Sequence, residues 1–481
     1  MLTLSKKTWI FVGVITLIRS VISFYLPLHP DECYYWLLSR HLALSYFDHP
    51  PLVAYLIRLT TIFSDQQFFV RLTAIVLSVL LSFLIYRLTL FLFNSADIAS
   101  GSVIILNLYP LTASGIIITP DTPAFFFFAL AVYLFARIVF GQSPPKNHHW
   151  IYLGISLGLG LLSKYTTILF FAGMFIFLGL DRRAIARISV RGILLALSLA
   201  LVIFSPVIIW NWQNGWISFA YQWRHGTSGT GHWLNLLTFW AGQVGAGGIF
   251  LFLIGIVASI IFLFSKNKPK QFLVAQSLPI FIFFSIVSYK KSAEVNWPSP
   301  AFFTLAIITA VFLLEKNQPP KKLLFWFSNG FCALLVLIIY WHSVLGIIPL
   351  AKINPTWVLM DPTNRCYGWS DFTKELSRIA NGAPIISTEH QSAASILYHS
   401  RQKLTLYCSS NNFVFWQKNL LKSLPLPGRV ITYEYFTDVS AGNLKPEMFD
   451  RVNKKWELLS WRNNQIIRRY NIYECWNFRG F

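Results

Sequence analysis

The residues best suited to chemistry lie in one acidic stretch near the start of the chain. Residues 28–51 begin with Leu-His-Pro-Asp-Glu-Cys-Tyr-Tyr-Trp and end with Tyr-Phe-Asp-His-Pro-Pro, directly after the first apolar run. Carboxylates so close to an apolar run are costly to hold and usually mark function. We therefore take Asp31 and Glu32 as candidate catalytic groups, with a solvated acidic loop as the alternative.

Further polar residues interrupt the apolar pattern at later points. Lys164 stands between two apolar runs, where it either ends a hydrophobic segment or binds an anion. Lys290 and Lys291 open the stretch Lys-Lys-Ser-Ala-Glu-Val-Asn-Trp, in which Asn296 can add a hydrogen bond to an anion that the lysines hold. The alternative is that these charges simply stop a hydrophobic segment. Asp121, in Thr-Pro-Asp-Thr-Pro, suits helix capping at least as well as substrate binding.

Tryptophan, glycine and histidine are concentrated in residues 211–235. Tryptophan stacks on sugar rings and glycine lets the backbone approach a ligand, although tryptophan is also typical of membrane interfaces. His225 in this stretch and Asp48 supply the imidazole and carboxylate that suit a divalent metal, with His49 as a further ligand. We expect either zinc or magnesium there or no cofactor at all, since residues so far apart in sequence leave both open.

The elements that position these residues follow from the composition. Of the 481 residues, 55% are hydrophobic and 12% are charged, whereas a soluble domain carries about 25% charged residues. Repeated apolar runs then predict a polytopic α-helical membrane protein. The first run lacks a signal-peptide cleavage site before Pro27, so we expect a retained helix. About eleven spans are predicted, near 9–26, 68–93, 99–118, 122–140, 151–163, 165–180, 193–210, 236–264, 271–288, 299–314 and 323–342.

The net charge of +21 indicates membrane topology and contact with anionic lipids rather than nucleic acid. With a cytoplasmic N-terminus, the short loops on the inner side carry most of the lysines and arginines, as in the run from Arg182 to Arg191. This orientation places residues 27–66 and the tail on the outer side. The five cysteines show no metal-binding spacing, and a disulfide between Cys366 and Cys408 is left open.

We expect three regions along the chain. Residues 1–342 form a transmembrane catalytic domain, and within it residues 27–66 form a first outer loop with two short amphipathic helices lying in the membrane interface. Residues 343–481 lack a run long enough to span, and their short β-rich segments alternate with helix-like ones. This alternation predicts a small α/β domain on the outer side.

This layout suits a lipid-linked substrate, whose phosphate lies at headgroup depth while its tail stays in hydrocarbon. Such a site needs cations to neutralise the phosphate, and a hydroxyl nucleophile also needs a carboxylate as general base. The outer loops supply both kinds of group. A transporter or flippase is the rival interpretation, although no internal repeat is visible.

Four motifs carry a resemblance to a known family: Pro30-Asp-Glu32, Tyr46-Phe-Asp-His-Pro-Pro51, Leu162-Ser-Lys164 and Lys291-Ser-Ala-Glu-Val-Asn-Trp-Pro298. Together they resemble the polyprenyl-phosphate-sugar-dependent glycosyltransferases of the GT-C fold. The similarity is to the bacterial branch that contains lipid A aminoarabinose transferase and the family-39 protein mannosyltransferase relatives. It covers about residues 5–310.

The resemblance implies inverting sugar transfer from an undecaprenyl-type phosphate carrier on the periplasmic face of a bacterial inner membrane. It maps the family's carboxylate after the first span onto Asp31. If the acceptor is a hydroxyl, Asp31 is expected to act as the general base. If the acceptor is a phosphate, Asp31 is expected to orient the sugar or hold the metal. The aminoarabinose transferases have Glu-Lys where this chain has Asp48-His49. The phosphate-binding role of that lysine then falls to Lys164 or Lys291, and His225 matches a metal-binding loop histidine.

The expected partners are a polyprenyl-phosphate-linked sugar, a lipid A-type glycolipid or a protein as acceptor, and membrane lipids; no nucleic acid is expected, and the chain is expected to be a monomer. The expected donor-phosphate residues are Arg58, Lys164, Lys290, Lys291 and Asn296. The expected sugar or acceptor residues are Tyr35, Trp223, Arg224 and Glu294.

Overall fold

The computed structural model describes residues 5–354, 356–414, 425–436 and 446–480. The helices are α1 (Lys6–Tyr25), α2 (Pro30–Arg40), α3 (Leu52–Thr60), α4 (Gln67–Phe93), α5 (Ala96–Leu108), α6 (Pro110–Ala113), α7 (Asp121–Phe140), α8 (Asn147–Ser163), α9 (Leu169–Leu180), α10 (Arg182–Ile185), α11 (Val190–Gln213), α12 (Ile217–Thr227), α13 (Trp233–Ala246), α14 (Ile249–Leu263), α15 (Lys268–Lys290), α16 (Ala301–Leu314), α17 (Pro319–Leu345), α18 (Leu350–Ile353), α19 (Trp357–Met360), α20 (Trp369–Ala380), α21 (His390–His399) and α22 (Asn411–Val414). Short 3-10 helices cover Ser114–Ile116, Tyr165–Ile168, Pro362–Cys366 and Pro446–Met448. The strands are β1 (Ile385–Ser387), β2 (Leu406–Cys408), β3 (Leu426–Phe436), β4 (Phe449–Arg462) and β5 (Gln465–Phe478).

Several helices are long and apolar enough to cross a bilayer. Within the described ranges, α1, α4, α7, α11, α15 and α17 meet this condition, and α13 with α14 meets it as a pair bent by 109°. Gly248 permits the bend, because its φ of +67° suits glycine. The multi-pass helical fold is thus confirmed, whereas the count of about eleven spans stays a prediction, since α5, α16 and the stretch Tyr165–Leu180 are shorter apolar helices.

The chain divides into two compact units that are interleaved along the sequence. The first unit comprises Met1–Val21, Asp48–Val53 and Arg71–Ile338, and the second comprises Ile22–Phe47, Ala54–Val70 and Ile339–Phe481. The predicted division between residues 342 and 343 stays a prediction.

The first unit is organised around α16. All residues of this helix except Phe312 and Leu314 are buried, and it packs against α5, α14 and α15. A helix that is apolar on every side is expected at such a central position. Glycines let α8 approach α11: a Cβ at Gly154 would lie 2.5 Å from the carbonyl oxygen of Ala196. This close packing fixes the end of α8, where Lys164 follows.

The second unit contains a five-stranded sheet in the order β2-β1-β3-β5-β4. β1 pairs in parallel with β2 and β3, while β3, β5 and β4 pair antiparallel. Phe372 on α20 stacks on Tyr470 of β5 with ring centroids 3.7 Å apart. The predicted C-terminal α/β region is confirmed. Cys366 and Cys408 are free thiols, so the disulfide that the sequence left open is not formed.

Both predicted helices of the first loop are present, as α2 and α3. The expected place of α2 in the membrane interface stays a prediction, and nearly all of its residues are buried. The reason is that α2 packs against α21 of the same unit. The N-terminal end of α2 therefore lies next to the α/β region of the tail.

Candidate active site

Asp121, Lys164, His225, Lys291 and Asn296 converge within the first unit, and we call them the lysine cluster. Asp121 is its centre: Lys164 Nζ lies 2.5 Å from its Oδ1, and Asn296 Nδ2 donates to its Oδ2 at 2.8 Å. The side chains of Asp121 and Lys164 are each only 16% exposed. Pro120 occupies the N-cap position of α7 and Asp121 is its first residue, while the Asp121 carboxylate contacts Lys164 and Asn296.

Both lysines lie where a helix ends and the chain becomes extended. Lys164 follows α8 with φ −157° and ψ 134°, and Lys291 follows α15 with φ −149° and ψ 145°. Two adjacent rings bring their side chains near each other, because Lys164 Nζ lies 5.9 Å from the ring centroid of Trp297 and the His225 ring lies 5.4 Å from that centroid. Lys291 Nζ in turn lies 3.3 Å from His225 Nδ1.

The imidazole of His225 is kept neutral by its surroundings. Burial lowers its pKa, and the charges of Lys291, His49 and Lys164 lower it further. A neutral imidazole can accept a hydrogen bond from the Lys291 ammonium through Nδ1. The cluster thus holds two cations without protonating the ring between them.

Helix α12 links this cluster to Asp48 and His49. Gln222 Nε2 donates to the backbone carbonyl oxygen of Asp48 at 2.5 Å, and the pKa of Tyr221 is raised by burial and by the charge of Asp48. His49 Nε2 lies 3.6 Å from Asp48 Oδ2. The part of the chain that the structure describes contains no group of three or more histidine, cysteine, aspartate or glutamate side chains able to hold a metal. The predicted metal ligands Asp48, His49 and His225 thus form no such group among the described residues, and their metal-binding role stays a prediction.

A second set of polar residues surrounds Asp31 in the second unit. Its Oδ1 accepts a hydrogen bond from Gln391 Nε2 at 2.5 Å, and its Oδ2 lies 3.4 Å from His29 Nδ1. Burial raises the pKa of Asp31, but its interactions with His29, His390 and Gln391 outweigh burial and bring the pKa to about 2. The side chain stays 34% exposed, so an ionised carboxylate remains accessible.

The neighbouring Glu32 has a different environment. It is fully buried, and its Oε2 accepts a hydrogen bond from the backbone N–H of His29 at 2.9 Å. Together with the His29 side chain it forms a capping box at the start of α2. Geometry therefore gives Glu32 a structural task at the start of α2, and its catalytic role stays a prediction.

The other residues predicted to bind phosphate or sugar differ in their burial. Tyr35 is buried beside Tyr34 with ring centroids 5.6 Å apart. The other residues predicted to contact phosphate or sugar have exposed side chains: Arg58, Trp223, Arg224, Lys290 and Glu294. Asp121 was predicted to be a helix cap at least as much as a substrate ligand, and Gln391 was not predicted as a site residue, because their partners lie far away along the chain. All of these site assignments stay predictions.

Comparisons with known proteins agree with this fold. Residues 48–210 match the family model described as dolichyl-phosphate-mannose-protein mannosyltransferase. The chain is similar to the lipid A galacturonosyltransferase RgtD of Rhizobium johnstonii, with 27% identity over 389 residues that cover 77% of each chain. The resemblance stated from the sequence motifs is confirmed by these matches together with the solved structures below.

Two solved structures share the fold. The first is ArnT from Cupriavidus metallidurans bound to undecaprenyl phosphate, with a TM-score of 0.70, 14% identity and coverage of 98% of both chains. The second is the apo oligosaccharyltransferase of Archaeoglobus fulgidus, with a TM-score of 0.51, 12% identity, and coverage of 89% of this chain and 70% of the other. At such identities the likeness concerns the fold alone.

Proposed function

We propose that this chain, a multi-pass membrane glycosyltransferase of the GT-C class, transfers a sugar from a polyprenyl phosphate carrier to lipid A or a related glycolipid. The observation that carries the proposal is the lysine cluster. Lys164 and Lys291 come from helix ends far apart in the sequence: Lys164 lies beside Trp297, Lys291 lies beside His225, and these two rings contact each other. Two partly buried ammonium groups at the ends of apolar helices suit the phosphate of a lipid carrier.

The chemistry required of such a site is mainly electrostatic. When the bond between sugar and phosphate breaks, negative charge accumulates on the departing phosphate, and cations fixed in advance stabilise that charge. Asp121 holds Lys164 in place through the 2.5 Å ion pair. Neutral His225 leaves the charge of Lys291 uncancelled. Since the phosphate is the leaving group, no general acid is needed.

Asp31 is proposed to bind and orient a sugar rather than to act as general base. A general base works best when its pKa lies near the working pH, whereas the pKa of Asp31 is about 2. A carboxylate that stays ionised accepts hydrogen bonds from sugar hydroxyls at every physiological pH. It can also stabilise positive charge that develops on the sugar ring in the transition state.

The relatives guide the choice of acceptor. One is named a lipid A galacturonosyltransferase, and another was solved with undecaprenyl phosphate. The description of the matching family favours a protein acceptor as the second candidate. We propose lipid A first, because the RgtD match spans 77% of this chain whereas the family match ends at residue 210.

The proposed location is the bacterial inner membrane, with the lysine cluster and the tail on the periplasmic side. The concentration of basic residues in the loops on the other side supports this orientation. The active form is proposed to be a monomer.

Purified protein in nanodiscs provides the test, with polyprenyl phosphates that carry galacturonic acid, aminoarabinose or mannose as donors. Lipid A and an unfolded polypeptide serve as acceptors, and mass spectrometry detects the product. We expect a new sugar on lipid A, and we expect Lys164→Met and Lys291→Met to abolish it. Lys266→Met is the matched control, because Lys266 is exposed and lies outside the cluster.

Transfer to the polypeptide alone would replace lipid A by the second acceptor. Movement of the donor lipid across the membrane without a new glycosidic bond would contradict the proposal and favour the transporter interpretation. Full activity of both lysine variants would refute the role of the cluster.

A further inference from the structure

We infer that Gln391, on helix α21 of the C-terminal α/β region, is a positioning residue for Asp31 and thereby makes the tail part of the sugar-binding site. This inference rests on the proposed function, in which Asp31 binds a sugar. The contact joins residues 360 positions apart, since the Gln391 side-chain amide donates directly to Asp31 Oδ1.

The two helices that carry these residues are held together by aromatic contacts. The ring of Trp36 on α2 meets that of Tyr398 on α21 edge-on with centroids 5.0 Å apart, and Tyr398 Oη donates to the carbonyl oxygen of Asp65 at 2.7 Å. Closer to Asp31, the ring of Tyr34 meets that of His390 edge-on at 5.1 Å. Because side chains with few rotatable bonds make these contacts, α21 is fixed along the length of α2.

The backbone of Gln391 is fixed as well. Glu389 precedes α21 and accepts hydrogen bonds from the N–H groups of Gln391 at 2.8 Å and Ser392 at 2.6 Å. Tyr435 of the sheet donates to the same carboxylate at 3.2 Å. The Gln391 side chain therefore starts from a position that the tail itself determines.

The contact of His29 with Asp31 depends on which ring nitrogen carries the proton. His29 Nδ1 accepts the backbone N–H of Asp31 at 3.2 Å in the helix cap, and it also lies 3.4 Å from Asp31 Oδ2. It can donate to that oxygen only with a proton on Nδ1, and this excludes the hydrogen bond of the cap. The Gln391 amide, by contrast, donates to the carboxylate whichever tautomer His29 adopts. Gln391 is thus the donor that fixes the direction of an otherwise one-third exposed carboxylate.

The decisive variants are Gln391→Leu and Gln391→Glu, assayed for donor KM, kcat and pH dependence. Loss of a hydrogen bond to a charged group corresponds to about a 10- to 100-fold effect, which we expect in kcat for Gln391→Leu at every pH. Gln391→Glu keeps the size and shape of the side chain. It should be as slow at about pH 7.5 but recover towards about pH 5, because a protonated glutamic acid can again donate to Asp31.

The controls separate positioning from folding. Gln142→Leu changes an exposed glutamine and should leave both constants unchanged. Asp31→Asn combined with Gln391→Leu should be no slower than Asp31→Asn alone, since the two residues act as one unit. If Gln391→Leu fails to fold, the acid recovery of Gln391→Glu still decides.

The outcomes distinguish the two ideas. A wild-type protein that transfers no sugar overturns the proposed function and the inference that rests on it. An active wild type whose Gln391 variants keep the wild-type kcat and pH dependence, while Asp31→Asn is inactive, overturns the role of Gln391 alone.

Discussion

Replacing Asp121 by asparagine should destabilise the protein by removing the counter-charge of Lys164. The substitution preserves the size of the side chain but leaves the Lys164 ammonium, now 2.5 Å from an oxygen of Asp121, without an ionised partner there. Asn296 would also lose its charged acceptor, to which it now donates at 2.8 Å. Both losses affect the folded state, so the free energy of unfolding decreases.

The magnitude follows from burial. Removing one partner of a buried ion pair costs about 3–5 kcal/mol, because the other charge is left uncompensated. Each side chain of the pair keeps 16% exposure, so water reduces the cost to about 2–3 kcal/mol. Lys164→Met should cost a similar amount. The double variant leaves neither charge buried, so we expect a coupling energy of about 2 kcal/mol between the two sites.

Unfolding of the purified protein by SDS in mixed micelles measures these free energies. The reference pair is Asp371 with Lys374, which lie 3.3 Å apart with 86% and 74% exposed side chains. The same double-mutant cycle there should give less than about 0.5 kcal/mol. A coupling between Asp121 and Lys164 as small as that of the exposed pair would refute the reasoning that this ion pair fixes the lysine.

Three further predictions concern other parts of the molecule. Burial lowers the pKa of His399 from 6.5 to about 4, so the unfolded chain binds a proton at a higher pH than the folded protein does. About 3 kcal/mol of stability should therefore be lost as the pH falls from 6.5 to about 4. Melting curves of His399→Gln should lack this loss. Gly154→Val should lower the melting temperature strongly, because the valine side chain would collide with the Ala196 backbone. Gly179→Val is the control and should not lower it, since nothing lies within 4 Å of a Cβ at that site. Equal changes in melting temperature for the two variants would contradict this prediction. Arg462→Met removes hydrogen bonds to buried groups of the tail, so trypsin should cleave the tail faster, and an unchanged rate would contradict this.

Local patterns predicted many elements well because hydrophobic periodicity and helix-start signals act over short distances. The two predicted helices of the first loop occur as α2 and α3, and the predicted mixture of helical and β segments occurs in the tail. β4 was missed. Its sequence Phe-Asp-Arg-Val-Asn-Lys-Lys-Trp contains few apolar residues, and it lies at the edge of the sheet, where the pairing with β5 rather than the side-chain pattern keeps it extended.

Some residues of the candidate site could be recognised from the sequence, and others only from the folded structure. Lys164, Lys291 and Asn296 were recognisable because charged and amide groups are rare beside apolar runs. Asp121 was judged no more functional than a cap, since only the folded chain brings Lys164 and Asn296 to its two oxygens. Glu32 was predicted from its sequence context as a catalytic acid, and this stays a prediction, while the structure adds its contact in the capping box of α2.

The sequence by itself determined the multi-pass class, the helix starts of the first loop and the residue types available for phosphate and sugar. Each of these depends on composition or on neighbours within one or two turns. Only the tertiary structure decided which of those residues meet: that Asp121 orders Lys164 and Asn296, and that Gln391 of the tail reaches Asp31. Such contacts bring together segments separated by tens to hundreds of residues. No local pattern records them, because they arise from the packing of helices whose own sequences say only which face is apolar.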